Sequence, residues 1–148
     1  MENTVLDIAV ISFPRTASRS LAKYYAECLG KQTAMGVLHK SQYLHGNEYN
    51  VRDVVFDKKH ILHGHWHTLD LLDQDILDFI RSEYKIVSSY RQRYAVEMSI
   101  EKITGSKDMI PDMIEKTNKE RNKWHIYQKH IVCGDRILTI NDVPDKFL

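Results

Sequence analysis

Directly behind the apolar run LDIAVISF (6–13), the chain reads Pro14-Arg15-Thr16-Ala17-Ser18-Arg19-Ser20. These residue types suit an oxyanion. Arg15 offers a full charge and a fork of donors. Thr16, Ser18 and Ser20 add hydroxyls. A helix starting here would add unpaired N–H groups and a positive dipole end. The same residues also suit a Ser/Thr-rich helix cap beside a solvated arginine, and spacing alone leaves both readings open. A second pair of interest is Arg91, which ends the run YKIVSSYR, and Ser99, eight residues on. An arginine at the carboxyl end of a strand can bind a phosphate through two parallel bonds. The third group is His60, His63, His65 and His67. The last three alternate, so in a strand they share a face. Three imidazoles on one face suit a zinc site, a general base with its support, or the wet side of a strand end.

These groups need elements to position them. Residues 6–13 read as a buried parallel strand that stops at Pro14. Behind the loop, Leu21, Tyr24, Tyr25, Cys28 and Leu29 form one face of a helix that Gly30 ends, with Thr16, Ser18 and Ser20 as candidate caps. VLHK (37–40) reads as a short extended piece, and 41–59 as loop or weak helix. HILHGHWH (60–67) reads as a short strand entering a loop. Thr68 then caps a helix carrying Leu71, Leu72, Ile76, Phe79 and Ile80. Residues 84–90 form a second clear strand and 91–103 a helix opening at its end. Residues 106–130 read as a long polar helix striped by Ile110, Met113, Ile114, Trp124 and Tyr127, and 135–142 as a closing strand. Strands alternating with helices predict right-handed crossovers and an α/β fold with a parallel sheet.

Composition bounds the function. The chain has 148 residues, 43% hydrophobic and 28% charged, which fits one soluble domain, 1–148. A formal net charge of +1 gives no general polyanion surface, so nucleic acid is not an expected partner, while a local basic pocket is still allowed. Two cysteines, Cys28 and Cys133, suit a reducing compartment. No apolar run reaches the roughly 18 residues of a membrane span. The acidic start, with Glu2 and Asp7, does not read as a signal peptide, and the expected location is cytoplasmic. The oligomeric state is left open.

The triphosphate-binding pattern G-x-x-x-x-G-K-[ST] is absent, because the loop holds neither Gly nor Lys. FPRTASRSLA instead resembles the 5′-phosphosulfate loop of sulfotransferases that use 3′-phosphoadenosine 5′-phosphosulfate (PAPS). Pro14, Arg15, Thr16, Ser18, Ser20 and Leu21 match that family's pattern, and Ala17 stands where Gly is usual. Arg91 and Ser99 are similar to the family's 3′-phosphate motif, although the usual Asp-Pro-x-x-Arg between them is replaced by Gln92 to Val96. HGHWHTLDL resembles the His-Gly-His segment of uronyl 2-O-sulfotransferases. The resemblance covers the first two-thirds of the chain and implies a P-loop-like three-layer domain with a short central parallel sheet flanked by helices. It implies PAPS as donor and no metal, with a hydroxyl or amine acceptor, a carbohydrate or small molecule. It casts His65 as the base and His63 as its support, with Arg15 stabilising developing charge. Arg15, Thr16, Ala17, Ser18, Arg19, Ser20, Leu21, Arg91 and Ser99 would bind the nucleotide. The alternatives are a nucleotide-binding protein without turnover and a small nucleotide kinase. Against the kinase stand the missing Gly-Lys-Ser/Thr and the lack of an acidic magnesium ligand after a strand.

Overall fold

The computed structural model describes residues 6–38 and 50–148. Its centre is β1 (Ile8–Ser12), whose five residues are all fully buried. Alternate side chains leave opposite faces of a strand, so β1 builds a core on both sides. Ile8 and Val10 meet Leu21, Ala22 and Ala26 of α1 (Ser18–Leu29). Ala9 and Ile11 join the opposite cluster with Trp66, Ile76, Ile80 and Trp124. A strand buried on both faces is apolar nearly throughout. IAVI meets that requirement, and the buried Ser12 that ends the strand has its hydroxyl hydrogen-bonded to Ser89.

From α1 the chain crosses to β2 (Gln32–Ala34) at the far edge, then returns through α2 (Val51–Asp57) to β3 (His60–His65). A 3-10 helix (Trp66–Leu71) and α3 (Gln74–Glu83) lead over β1 to β4 (Lys85–Arg91). Helices α4 (Arg93–Thr104) and α5 (Ile110–Arg121) then carry the chain outward to β5 (Ile126–Cys133) and β6 (Arg136–Ile140). The strand order is β2-β3-β1-β4-β5-β6. The first five strands are parallel and β6 is antiparallel to β5. The crossover after β1 runs toward β2 and the one after β4 runs toward β5. These two strands are neighbours, so their carboxyl ends form a switch point where open α/β sheets bind ligands.

The architecture is α/β with helices flanking the sheet, but several sequence expectations need correction. The sheet is mixed, because a tight turn at Gly134 (φ 64°) reverses β5 into β6. The long helix expected over 106–130 stops at Arg121. Trp124 leaves it to pack on Trp66, and Tyr127 lies exposed in β5. Thr68 caps no helix: it sits inside the 3-10 turn, its hydroxyl donating to the His65 carbonyl, and α3 begins only after Asp73. Leu71 is therefore exposed. The buried face of α1 runs through Ser18, Leu21, Ala22 and Ala26, with Tyr24 and Cys28 turned to solvent. Small alanines let this helix lie close on the sheet. The extended piece falls at 32–34, and Val37 and Leu38 belong to a turn. His39, Lys40 and the stretch 41–49 lie outside the described residues. No helix among the described residues is long and apolar enough to cross a membrane.

A buried histidine ties α1 to the outer strands. His130 of β5 takes Tyr25 Oη at 2.8 Å on Nε2 and Thr139 Oγ1 at 3.2 Å on Nδ1. Burial lowers the His130 pKa, and burial also pushes the Tyr25 phenol up to about 12.

Gly64 has a packing reason. A Cβ there would stand 2.5 Å from Leu38 Cβ, because the 35–38 turn lies flat on β3 with Leu38 N–H bonded to the His63 carbonyl. Leu38 Cβ is fixed to the backbone and cannot swing aside. Gly64→Ala is expected to destabilise the fold by roughly 1–3 kcal/mol, the usual cost of overpacking, read by urea denaturation. An unchanged midpoint would mean that the turn does not press on β3.

Candidate functional site

The loop between β1 and α1 is built around two left-handed residues. Arg15 has φ 66° and Ala17 φ 60°, in a region that costs an L-residue roughly 1–2 kcal/mol. Buried hydroxyls hold this shape. Thr16 Oγ1 donates to the Phe13 carbonyl at 2.7 Å and lies 3.0 Å from Ser89 Oγ. Ser89 in turn donates from its N–H (2.9 Å) and its hydroxyl (3.0 Å) to Ser12 Oγ. The chain of hydroxyls stitches the end of β1, the loop and β4 together.

The loop, the first turn of α1 and the ends of β3, β4 and β5 enclose a cleft of about 610 Å³, a size that suits a small-molecule site. Arg15, Ser18, Arg19, Ser20, His65 and Arg91 are among its lining residues. Among the described residues that line it are three arginines and no aspartate or glutamate. A chain of net charge +1 thus gathers a local excess of positive charge, which draws anions into a cleft. Helix α1 opens directly behind Ala17 with no side-chain cap, and the Thr16 and Ser18 hydroxyls expected to cap it bond elsewhere.

Arg15 and Arg91 are held in register by each other and by α4. Arg15 Nε donates to Ser99 Oγ at 2.9 Å. Arg91 Nη1 donates to the Arg15 carbonyl at 3.1 Å. The main chain of Arg91 is clamped from the far side, its N–H bonding Leu148 O and its carbonyl accepting Leu148 N–H. Two sequence motifs 76 positions apart thus become one contiguous group.

The sequence-predicted residues divide by placement. Ala17, Ser18, Arg19, Ser20, Arg15, Arg91 and His65 border the cleft. Ser99 touches it through Arg15. Thr16 is fully buried and its hydroxyl is spent on Phe13 and Ser89, so its side chain braces the loop and does not line the cleft. Leu21 is also fully buried in the core beneath α1.

The histidines do not form the three-membered row that their alternation predicts. β3 ends at His65, and His67 enters the 3-10 turn, stacked 6.0 Å from His65. His63 lies inside the wall, 3% exposed, with Nε2 2.9 Å from Ser18 Oγ and Nδ1 accepting the Gly36 N–H at 2.9 Å. Among the described residues, no group of three or more His, Cys, Asp or Glu is placed to hold a metal ion.

Ser12, Ser89 and Gly36 were not expected as site residues. Polar residues at 12 and 88–89, inside strands buried on both faces, are the one signal in the sequence that could have flagged the first two. Comparisons with protein-family models, curated proteins and solved structures give no match to this chain.

The left-handed loop makes a test. Ala17→Gly relieves roughly 1–2 kcal/mol of left-handed strain against roughly 0.5–1 kcal/mol of added chain entropy. It should raise stability by up to about 1 kcal/mol in urea denaturation. Ala17→Val, with a β-branched side chain, should lower it. The reverse order would contradict a left-handed residue 17.

Proposed function

We propose that this chain is a P-loop-like, PAPS-dependent sulfotransferase that moves a sulfuryl group to a hydroxyl acceptor, with a carbohydrate the first class to try. The observation that carries the reading is the cleft itself. Arg15, Arg19 and Arg91 line it, with no carboxylate among the described lining residues, at the switch point between β1 and β4, where both motifs that resemble the family meet. PAPS is a compact polyanion whose phosphates and sulfonate need several separated cationic donors.

In this reading, Arg15, Ser18, Arg19, Ser20 and the uncapped start of α1 take the 5′-phosphate and the sulfonate. Arg91 and Ser99 take the 3′-phosphate. The acceptor oxygen attacks sulfur in line with the bridging oxygen. A new S–O bond forms while the old one breaks, and the acceptor proton passes to His65. The 3′,5′-ADP that leaves carries the negative charge of the former bridge. Arg15 and the helix start stabilise that charge as it grows, which is where fixed donors contribute most. His65 has the right chemistry to take a proton near neutrality and borders the same cleft. Thr16 and Leu21 contribute through the loop's shape and not by contact.

Two substitutions separate the roles. Arg91→Ala should lower the preference for 3′,5′-ADP over AMP, measured by calorimetry, by roughly 10–100-fold, the worth of a charged hydrogen bond. An equal loss for both nucleotides would move Arg91 away from the 3′-phosphate. His65→Ala should leave 3′,5′-ADP affinity within about twofold while transfer, or slow PAPS hydrolysis, falls roughly 10²–10⁴-fold. Full transfer by that variant would remove His65 as the base. A chain that binds the nucleotide and turns over neither substrate would be a binding protein.

A further inference from the structure

His63 is the most enclosed titratable group at the cleft, and both of its ring nitrogens are engaged. The backbone N–H of Gly36 can only donate, so Nδ1 must present a lone pair to it. A proton on Nδ1 would face the Gly36 N–H donor to donor across 2.9 Å. The geometry therefore selects a neutral ring with its proton on Nε2. That proton lies on the line to Ser18 Oγ, 2.9 Å away, and Ser18 is the acceptor in the pair.

A serine hydroxyl has one proton and two lone pairs. With a lone pair taken by His63, the hydroxyl proton of Ser18 is left to donate. Ser18 is only 4% exposed, opens α1 and borders the cleft. The alternative, in which Ser18 donates to His63, would need the opposite tautomer, which Gly36 forbids. We propose that His63 is a positioning residue. By accepting from Gly36 and donating to Ser18, it locks Ser18 as an obligate donor toward a tetrahedral oxyanion in the cleft.

The same side chain also carries the Gly36 end of the 35–38 turn, and its own carbonyl accepts the Leu38 N–H at 3.1 Å. His63 thus joins β3, the start of α1 and the wall formed by the turn. A ring fixed in this way cannot take the acceptor proton at Nδ1 without losing Gly36, which separates its role from that of His65. A donor-only Ser18 suits phosphate or sulfonate oxygens, which only accept, and disfavours a ligand that presents N–H or O–H at that point. The inference rests on the cleft being an anion site, and not on which nucleotide occupies it.

Two substitutions divide the two bonds of the ring. His63→Asn can still place a carbonyl near the Nδ1 position for Gly36 but has no atom that reaches Ser18. His63→Gln can place an amide N–H near the Nε2 position for Ser18 and gives up Gly36. The probes are 3′,5′-ADP and inorganic sulfate, with affinity measured by calorimetry on the full chain and folding followed by thermal melting.

Ser18→Ala should weaken binding roughly tenfold or more, as expected for a lost hydrogen bond to a charged ligand. His63→Asn should match that loss at a near-normal melting temperature. His63→Gln should recover most of the affinity while melting earlier. The double variant Ser18→Ala/His63→Asn should bind no worse than Ser18→Ala alone, because the effect of His63 passes through Ser18. A purely structural His63 would give additive losses and no recovery with Gln, and either result overturns the proposal. Nitrogen NMR of the unaltered chain supplies a readout without ligand: Nε2 must carry the proton and Nδ1 must not. The opposite tautomer overturns the proposal, as does failure of the unaltered chain to bind either probe. If sulfate binds and responds to Ser18→Ala while 3′,5′-ADP does not bind, the role of His63 stands and the PAPS reading falls.

Discussion

The buried hydroxyl chain of Ser12, Ser89 and Thr16 is the constraint on which the site depends. The chain has to leave β1 at Phe13, pass through two left-handed residues and enter α1 five residues later, at Ser18. Nothing in the propensity of Arg15 or Ala17 favours that path. Thr16 makes it hold by pointing into the sheet, where its hydroxyl donates to the Phe13 carbonyl and packs 3.0 Å from Ser89 Oγ. Each such bond adds about 1 kcal/mol net. Leaving one buried partner unsatisfied costs roughly 1–3 kcal/mol, so the members stand or fall together. The same stitching fixes β4 against the loop. Arg91 therefore reaches the Arg15 carbonyl, and Arg15 reaches Ser99.

Charge follows from this geometry and not from composition. With 21 basic and 20 acidic residues, the chain is nearly neutral. Several of the acids are engaged elsewhere. Asp7 pairs with Lys31 and Lys58, Asp73 and Asp75 pair with Arg52, and Glu120 lies beside Arg81 and Lys123. Among the described residues, the cleft's lining holds Arg15, Arg19 and Arg91 and no carboxylate. Exposed ion pairs contribute little to stability, but those acids are engaged away from the three arginines that line the cleft.

Much of the fold was legible wherever a single period ran undisturbed. β1, α1 and β4 follow directly from apolar runs and their breakers, as does the placement of Arg15 and Arg91 at strand ends. What failed was context. β5 carries Lys129 and Ile131 on one side and Gln128 and His130 on the other, behind a register shift at Tyr127, a pattern that also passes for the tail of a polar helix. Only pairing with β4 and β6 makes it a strand. β2 has three residues, too few to show alternation. Thr16 read as a cleft hydroxyl because sequence cannot tell which way a loop side chain turns, and Leu21 lies behind the cleft for the same reason. His63 and His65 are two residues apart on one face, yet depth separates them. Both line the cleft, but His63 is sealed in by Ser18 and Gly36, while His65, the last residue of β3, is only half-buried.

Thermal melting of the unaltered chain with 3′,5′-ADP, ADP and AMP tests most directly whether this cleft reads a 3′-phosphate. A ligand that binds only the folded chain adds about 2.7 kcal/mol of stability at a hundred times its Kd. For a chain of this size that is a rise of several degrees in Tm. The expected result is such a rise with 3′,5′-ADP and a clearly smaller one with AMP and ADP at equal concentration. Equal shifts for all three nucleotides, or none, would contradict a cleft organised by Arg15 and Arg91 for a 3′-phosphorylated donor.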